Sequence, residues 1–398
     1  MLTIHRLDAD LINFERMTEI PVKLRHWLGM GESTKSLVEG NRSWWILPSP
    51  DNPRVYFPCS RVAWPSALEL VHSPFRKKVT LLLLWLMRIR RLGPHRTAPR
   101  VSQLDQWLNT FFKDKGPYFF SIYSGTPNIF VKETIQCLSR RGEVLGYLKL
   151  PRGASSSEVI ENEKRTLNDL ALRFPDESFF PRLIGEMDGV TLQGPPLGKD
   201  SANSGNDIEG SGNILARLRD GFHTSLLWSQ SPVRVSLVDA IEQMHAADLP
   251  EWTSTAREAL QLFDEQWAED PILHILSHGD FVPWNIRSGS FAFDWEWSGM
   301  RLPWHDAFHY LWMPIILKKD VTLSELSRCW LGSEGQMIRA GMPVQSSDTL
   351  HACAYFAWQF SFYTAATLRK GETVLDNRLL GTLQSLLSAS LSENRLIL

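Results

Sequence analysis

The chain is short of cysteine, of long apolar runs and of charge of one sign, and each shortage removes a class of function. Only four of its 398 residues are cysteine (Cys59, Cys137, Cys329, Cys353), far apart and with no C-x-x-C pair. That argues against a structural zinc site and a disulfide framework, and points to a reducing, cytoplasmic compartment. A formal net charge of −2 gives no electrostatic case for nucleic acid as a partner. The N-terminus, Met1-Leu2-Thr3-Ile4-His5-Arg6-Leu7-Asp8, has an early acid and no continuous apolar core, unlike a signal peptide. The most apolar run, Leu81-Leu82-Leu83-Leu84-Trp85-Leu86-Met87, falls well short of the roughly 20 residues that span a bilayer, so no transmembrane segment is expected. Arg76, Lys77 and Lys78 precede this run, and Arg88, Arg90 and Arg91 follow it. Peripheral membrane contact through residues 76–91 fits that pattern, but a buried helix with solvated ends is the expected reading.

What remains is a soluble globular composition, 22% charged and 43% hydrophobic, in a chain long enough for two or three domains. Residues 1–115 read as an accessory region of unnamed role. Its prolines cut Trp44-Trp45-Ile46-Leu47 and Arg54-Val55-Tyr56-Phe57 into short extended pieces, followed by a helix from about Phe75. From residue 116 the pattern changes. Strands are expected at 118–123, 131–138 and 144–150, then a helix from Glu158 to Leu172, then strands near 181–187 and 189–193. Residues 199–213, rich in Ser, Gly, Asn and Asp, read as a flexible loop. From 214 to 398 the chain is mainly helical.

The chemistry concentrates in Ser277-His278-Gly279-Asp280-Phe281-Val282-Pro283-Trp284-Asn285, followed nine residues later by Asp294 in Phe293-Asp294-Trp295-Glu296. Phosphoryl transfer from a metal-bound nucleotide needs a carboxylate to orient or deprotonate the acceptor hydroxyl. It also needs hard oxygens to hold Mg²⁺ against the phosphates. In that scheme Asp280 is the catalytic base, and Asn285 and Asp294 are the metal ligands. His278 supports the loop backbone. Upstream, Lys149 ends the third strand as a phosphate-contacting lysine, and Glu163 on the following helix is its ion-pair partner, with Glu161 as the competitor. The turn around Gly125 would cover the phosphates, and the backbone near Gln193 would meet the adenine edge as a hinge.

This ordered set resembles the aminoglycoside phosphotransferase and choline kinase-like family, relatives of the protein kinases, over about residues 118–390. Ile241-Glu242-Gln243-Met244-His245-Ala246 is similar to the family's helix beneath the catalytic loop, and Pro303-Trp304-His305-Asp306 to the stretch after the metal acid. The resemblance implies an α+β, two-lobed protein-kinase-like fold: a five-stranded antiparallel lobe with one helix (116–198), and a helical lobe holding the catalytic loop. It implies transfer of the γ-phosphate of ATP (or GTP), with Mg²⁺, to a hydroxyl of a small molecule, and a structural role for Asp306. The Asn285-to-Asp294 connection is shorter than the family commonly shows. Protein kinases match less well: Gly279 stands where they carry a basic residue, Asp294-Trp295-Glu296 replaces D-F-G, and nothing downstream resembles A-P-E. Among acceptors, the recurrence of aromatics after Met300 points to a sugar or glycoconjugate, which stacks on indole rings, with aminoglycosides and amino alcohols as alternatives. A non-catalytic kinase-like module is the reading from a different class.

Overall fold

The computed structural model describes residues 28, 42–49, 52–71, 74–89, 96–98, 102–124, 130–196, 208–268, 270–287, 290–340, 348–369 and 377–397. They divide into two compact units. One contains the described residues up to Asn168 together with 181–196; the other contains 169–180 and everything described from 208 onwards.

The first unit is built on an eight-stranded sheet. Its strands are β1 (Arg42–Ser49), β2 (Asn52–Pro58), β3 (Arg96–Ala98), β4 (Phe119–Ser124), β5 (Lys132–Leu138), β6 (Val144–Pro151), β7 (Leu183–Met187) and β8 (Val190–Gln193). Their order is β3-β1-β2-β4-β5-β6-β8-β7, antiparallel at every pairing. The five strands implied by the resemblance, β4 to β8, are therefore present, and three more extend the sheet from the region before residue 115. The sheet runs across that point: Val55 and Tyr56 of β2 pair with Tyr123 and Ile122 of β4.

Alternation in β1 explains why these strands are covered on both faces. Trp44 and Ile46 enter one core with Phe120, Ile135, Leu148 and Leu192, closed by Leu104 and Leu108 of helix α2 (Gln103–Phe111). Trp45 and Leu47 enter a second, smaller core with Phe57, Trp64, Ala67 and Leu84. Leu84 belongs to helix α1 (Pro74–Ile89). The expected burial of this helix is not found. Leu84 is fully enclosed, yet eight of the helix's sixteen residues are large apolar side chains open to solvent. Among the described residues the small second core meets α1 along one edge, at Leu84 and Met87. After β6 comes α3 (Ala154–Arg173), started by Ser156, whose hydroxyl accepts the N–H of Arg152 and of Gly153, each at 2.9 Å.

The second unit carries helices α4 (Ile208–Gly221), α5 (Pro232–Ala246), α6 (Pro250–Gln266), α7 (His305–Ile316), α8 (Leu323–Leu331), α9 (Ser333–Ala340), α10 (Asp348–Arg369) and α11 (Arg378–Ile397). The expected loop at 199–213 is corrected at its end. Residues 208–213 open α4, because Ile208, Ile214, Leu215 and Leu218 form one buried stripe. Between the helices lie two small sheets. Strand β10 (Ile272–Ser277) pairs with β9 (His223–Leu226) and β13 (Gly299–Arg301), and β11 (Ile286–Arg287) forms a hairpin with β12 (Phe291–Ala292).

Of the eleven aromatic residues after Met300, nine are taken up by packing, and Phe362 and Tyr363 are half-buried. Trp304, Phe308, Tyr310, Trp312, Trp330, Tyr355, Phe356, Trp358 and Phe360 are all buried. Trp312 stacks on Phe308 at 4.2 Å and on Phe356 at 5.3 Å between ring centres. The argument that these rings point to a sugar acceptor therefore loses its basis.

Candidate functional site

The loop leaving β10 is held from beneath by one carboxylate. Asp306, buried in the first turn of α7, accepts from Ser277 Oγ (2.6 Å), the His278 N–H (2.6 Å) and the Gly279 N–H (3.1 Å). These bonds turn the chain sharply at Gly279, whose φ of +86° favours glycine. A Cβ there would lie 2.1 Å from the Trp297 carbonyl oxygen and 2.6 Å from Arg301 Nη1, so the position tolerates no side chain. Arg301 closes the same corner. It donates to Ser277 Oγ at 3.1 Å and to the Trp297 carbonyl at 2.6 Å, with its guanidinium 4.3 Å from the centre of the Trp358 ring. Burial lowers this guanidinium to about 10, opposed by Asp306.

The turn presents Asp280, and both of its carboxylate oxygens are engaged. Asn285 Nδ2 donates to Oδ2 at 2.8 Å and to the Asp280 carbonyl at 2.9 Å. His309 Nε2 lies 3.1 Å from Oδ1. On its other side, His309 Nδ1 accepts from Gln359 Nε2 at 2.9 Å, with the Tyr355 hydroxyl at 3.2 Å. An amide nitrogen only donates, so Nδ1 is the acceptor and Nε2 carries the proton given to Asp280. Burial alone would raise the Asp280 carboxyl, but the His309 hydrogen bond leads a set of opposing effects and the net result is a lowering. The side chain nevertheless keeps 38% of its surface open. It is an oriented, ionised and accessible carboxylate.

Asn285 and Asp294 are brought together by the hairpin. Ile286 pairs with Ala292, and the Phe293 N–H donates to the Asn285 carbonyl at 3.1 Å. Asp294 thus sits one residue past the one facing Asn285. It is half-buried, in a left-handed conformation with φ of 67° and ψ of 56°, where few residues other than glycine, Asn and Asp settle. His278 ties the loop after β10 to this strand end. Its Nε2 lies 2.9 Å from the Phe293 carbonyl, and its Nδ1 accepts the Asp280 N–H at 3.3 Å. Burial holds this imidazole below its ordinary value, in keeping with a neutral ring that joins two backbones. With Asn285 Nδ2 committed to Asp280, the free end of the amide is its oxygen. That oxygen and the Asp294 carboxylate are hard-oxygen donors of the type Mg²⁺ takes beside phosphates and water, so their chemistry fits the metal the resemblance implies.

In the sheet unit, Lys149 on β6 and Glu163 on α3 form a buried pair, Nζ to Oε1 at 2.6 Å. Glu161 is engaged elsewhere, with Lys164 at 3.1 Å. The ends of β4, β5 and β6 are tied by a second buried cluster, in which Ser124 Oγ donates to Glu133 Oε2 at 2.7 Å and Arg152 pairs with Glu133. Burial raises the Glu133 carboxyl, with Arg152 and Ser124 opposing. Gly125 lies outside the described residues. Gln193 is the last residue of β8, in register with Tyr147 of β6 on one side and Leu183 of β7 on the other. The buried Gln193 Nε2 has no hydrogen-bond partner.

Sequence reasoning missed His309, Arg301 and Gln359. A signal for His309 was available, since it follows Asp306 by three residues and so shares its helix face. The others depend on how helices dock. Trp284, 41% exposed between Asp280 and Asn285, is the large ring of this loop that stays open to solvent.

No protein-family model matches the chain, and no curated protein sequence matches it. Solved structures do show likeness. A GDP complex of an aminoglycoside 2′-phosphotransferase is 14% identical with a TM-score of 0.47, covering 73% of this chain and 97% of its own. A choline kinase from Streptococcus pneumoniae is 12% identical with a TM-score of 0.48, covering 73% and 100%. An ethanolamine kinase from Plasmodium vivax is 13% identical with a TM-score of 0.46, covering 71% and 84%.

Proposed function

We propose that the protein transfers the γ-phosphate of a nucleoside triphosphate, ATP or GTP, to a hydroxyl of a small molecule. The observation that supports this most is the Asp280 carboxylate, fixed at one oxygen by His309 and at the other by Asn285, yet open on the remaining side. A carboxylate so held orients an incoming hydroxyl and takes its proton as the new bond forms. The acceptor oxygen bonds to the γ-phosphorus, the bond from phosphorus to the β,γ-bridging oxygen breaks, and its electron pair leaves on the nucleoside diphosphate. Asn285 and Asp294 would hold Mg²⁺ with the nucleotide, and the ion would supply positive charge against the phosphates. Lys149, held by Glu163, is proposed as a phosphate-contacting cation, with Gly125 and Gln193 as nucleotide contacts. Catalysis of this type is mostly positioning and charge stabilisation.

The acceptor is small in this reading, because Gly279 and Asp294-Trp295-Glu296 depart from the protein-kinase pattern. Sugars, amino alcohols and aminoglycosides are separated by assay: nucleotide consumption across a panel of the three classes, followed by isolation of the phosphorylated product. Asp280→Ala is expected to keep nucleotide binding and lower turnover by at least about 10³-fold. Asp294→Ala is expected to lose Mg²⁺-dependent nucleotide binding as well, read as loss of the thermal shift on adding both. Wild-type turnover in Asp280→Ala would falsify the assignment. Absence of any shift with ATP or GTP and Mg²⁺ would favour a non-catalytic module.

A further inference from the structure

We propose that helix α1 docks this protein onto an anionic lipid bilayer surface. The outward face of α1 is organised and not a scatter of apolar residues. Phe75, Val79, Leu82, Leu86 and Ile89 alternate at intervals of four and three, so they fall on one stripe opposite the enclosed Leu84. The stripe runs for about 21 Å along the helix. Phe75 is 75% exposed and Leu82 59%. Trp85, itself 52% exposed, stands at the stripe's edge, where an amphipathic ring suits the boundary between headgroups and acyl chains.

Charge decides what covers this stripe. From Pro74 to Arg91 the sequence holds six basic residues (Arg76, Lys77, Lys78, Arg88, Arg90, Arg91) and no acid. The four-three spacing by itself would also suit a second copy of the helix. A second copy, however, would add its own Lys78 beside the stripe, and the segment has no acid to set against it, so like charges oppose that contact. A bilayer bearing anionic headgroups satisfies both features at once. The stripe enters the acyl boundary, and Lys78 on its flank reaches the headgroups with its stem along the apolar surface. Among the described residues no helix is long and apolar enough to cross a membrane, so the contact is interfacial and reversible.

The test uses the full chain in vesicle flotation, with phosphatidylcholine alone and with phosphatidylcholine containing phosphatidylserine, at low and high salt. Recovery is expected with the anionic vesicles, weakly or not at all with the neutral ones, and falling as salt rises. Lys78→Glu, which reverses the charge on the stripe's flank, is expected to weaken binding about 30-fold. Leu82→Gln with Leu86→Gln is expected to weaken it at least tenfold. All three positions are solvent-exposed, and an unchanged unfolding midpoint would show that each variant is folded. Equal recovery on both vesicle types overturns the proposal, as does undiminished binding by both variants. Failure of the wild type to float, with a dimer that Leu82→Gln and Leu86→Gln dissolve, would assign the stripe to a second copy instead. Nucleotide turnover plays no part in the readout, so this outcome and that of the phosphotransfer reading are independent.

Discussion

Helices α1 and α7 are both apolar in sequence, and they end in opposite surroundings. Ten of the twelve residues of α7 are buried, among them His305, Asp306 and His309. In α1, Leu84 is the buried residue among those described. Hydrophobic content alone states that a surface should be covered and says nothing about the cover. The polar residues are more informative. In α7 they lie inside the apolar run and point to partners: Asp306 to the backbone of the loop, His309 to Asp280. In α1 they are cations at the two ends, with nothing polar but Thr80 between Lys78 and Arg88. An apolar helix with interior polar groups is designed around a site, whereas one with cationic ends is suited to a surface.

The comparison is broken most strongly at the aromatic core of α7. Phe308 is fully buried between Trp312, Trp330 and Tyr355. Phe308→Ala is expected to cost about 3–5 kcal/mol, read from denaturant midpoints. Leu82→Ala in α1, removing a similar apolar area from an exposed position, is expected to stay within about 0.5 kcal/mol. Comparable losses at the two sites would mean that α1 is packed against something in the folded chain.

A smaller effect is expected at His309. Its hydrogen bond opposes the burial that would otherwise raise the Asp280 carboxyl. Removing that donor in His309→Ala should let the carboxyl rise. A base with a raised value is protonated earlier as pH falls, so the acidic limb of kcat/KM should move to higher pH, while kcat/KM at neutral pH falls about 10- to 100-fold. Stability contributed by Asp280 is present above the unfolded carboxylate value and lost as pH falls through the lower folded value. That contribution should shrink in the variant. An unmoved acidic limb would reduce His309 to a packing residue.

These two helices also mark what could be read from the sequence. The motif from Ser277 to Asp294 was legible because its members are joined by local structure: a tight turn, a 3₁₀ turn and a hairpin. The Lys149–Glu163 pair was legible for a related reason, since it lies on a strand and the helix directly following it. His309 was legible only as a neighbour of Asp306 on its helix face; its partner Asp280 lies 29 positions away, and only the docking of α7 brings the two together. The same holds for β1 to β3. Pairing of Tyr56 with Ile122 depends on a contact across 66 positions that no local pattern announces, so the region before residue 115 read as an accessory. The aromatic residues failed in a further way: composition counts rings but does not reveal that Trp312 is already stacked against Phe308 and Phe356.

The smallest expected effect is the sharpest on α1. Leu82→Gln with Leu86→Gln replaces two solvent-facing leucines by polar residues of similar length and helix propensity. The folded chain loses no enclosed contact, because α1 meets the small core through Leu84 and Met87. The unfolding midpoint should therefore shift by no more than about 0.5 kcal/mol, and solubility at high protein concentration should rise as the exposed apolar patch is broken. If the two leucines instead support the fold, the same variant loses stability in proportion to buried area, about 2 kcal/mol or more for each. The two outcomes differ by a factor of at least eight. Unfolding measured without lipid thus separates a helix kept for an external surface from one that holds the sheet unit together.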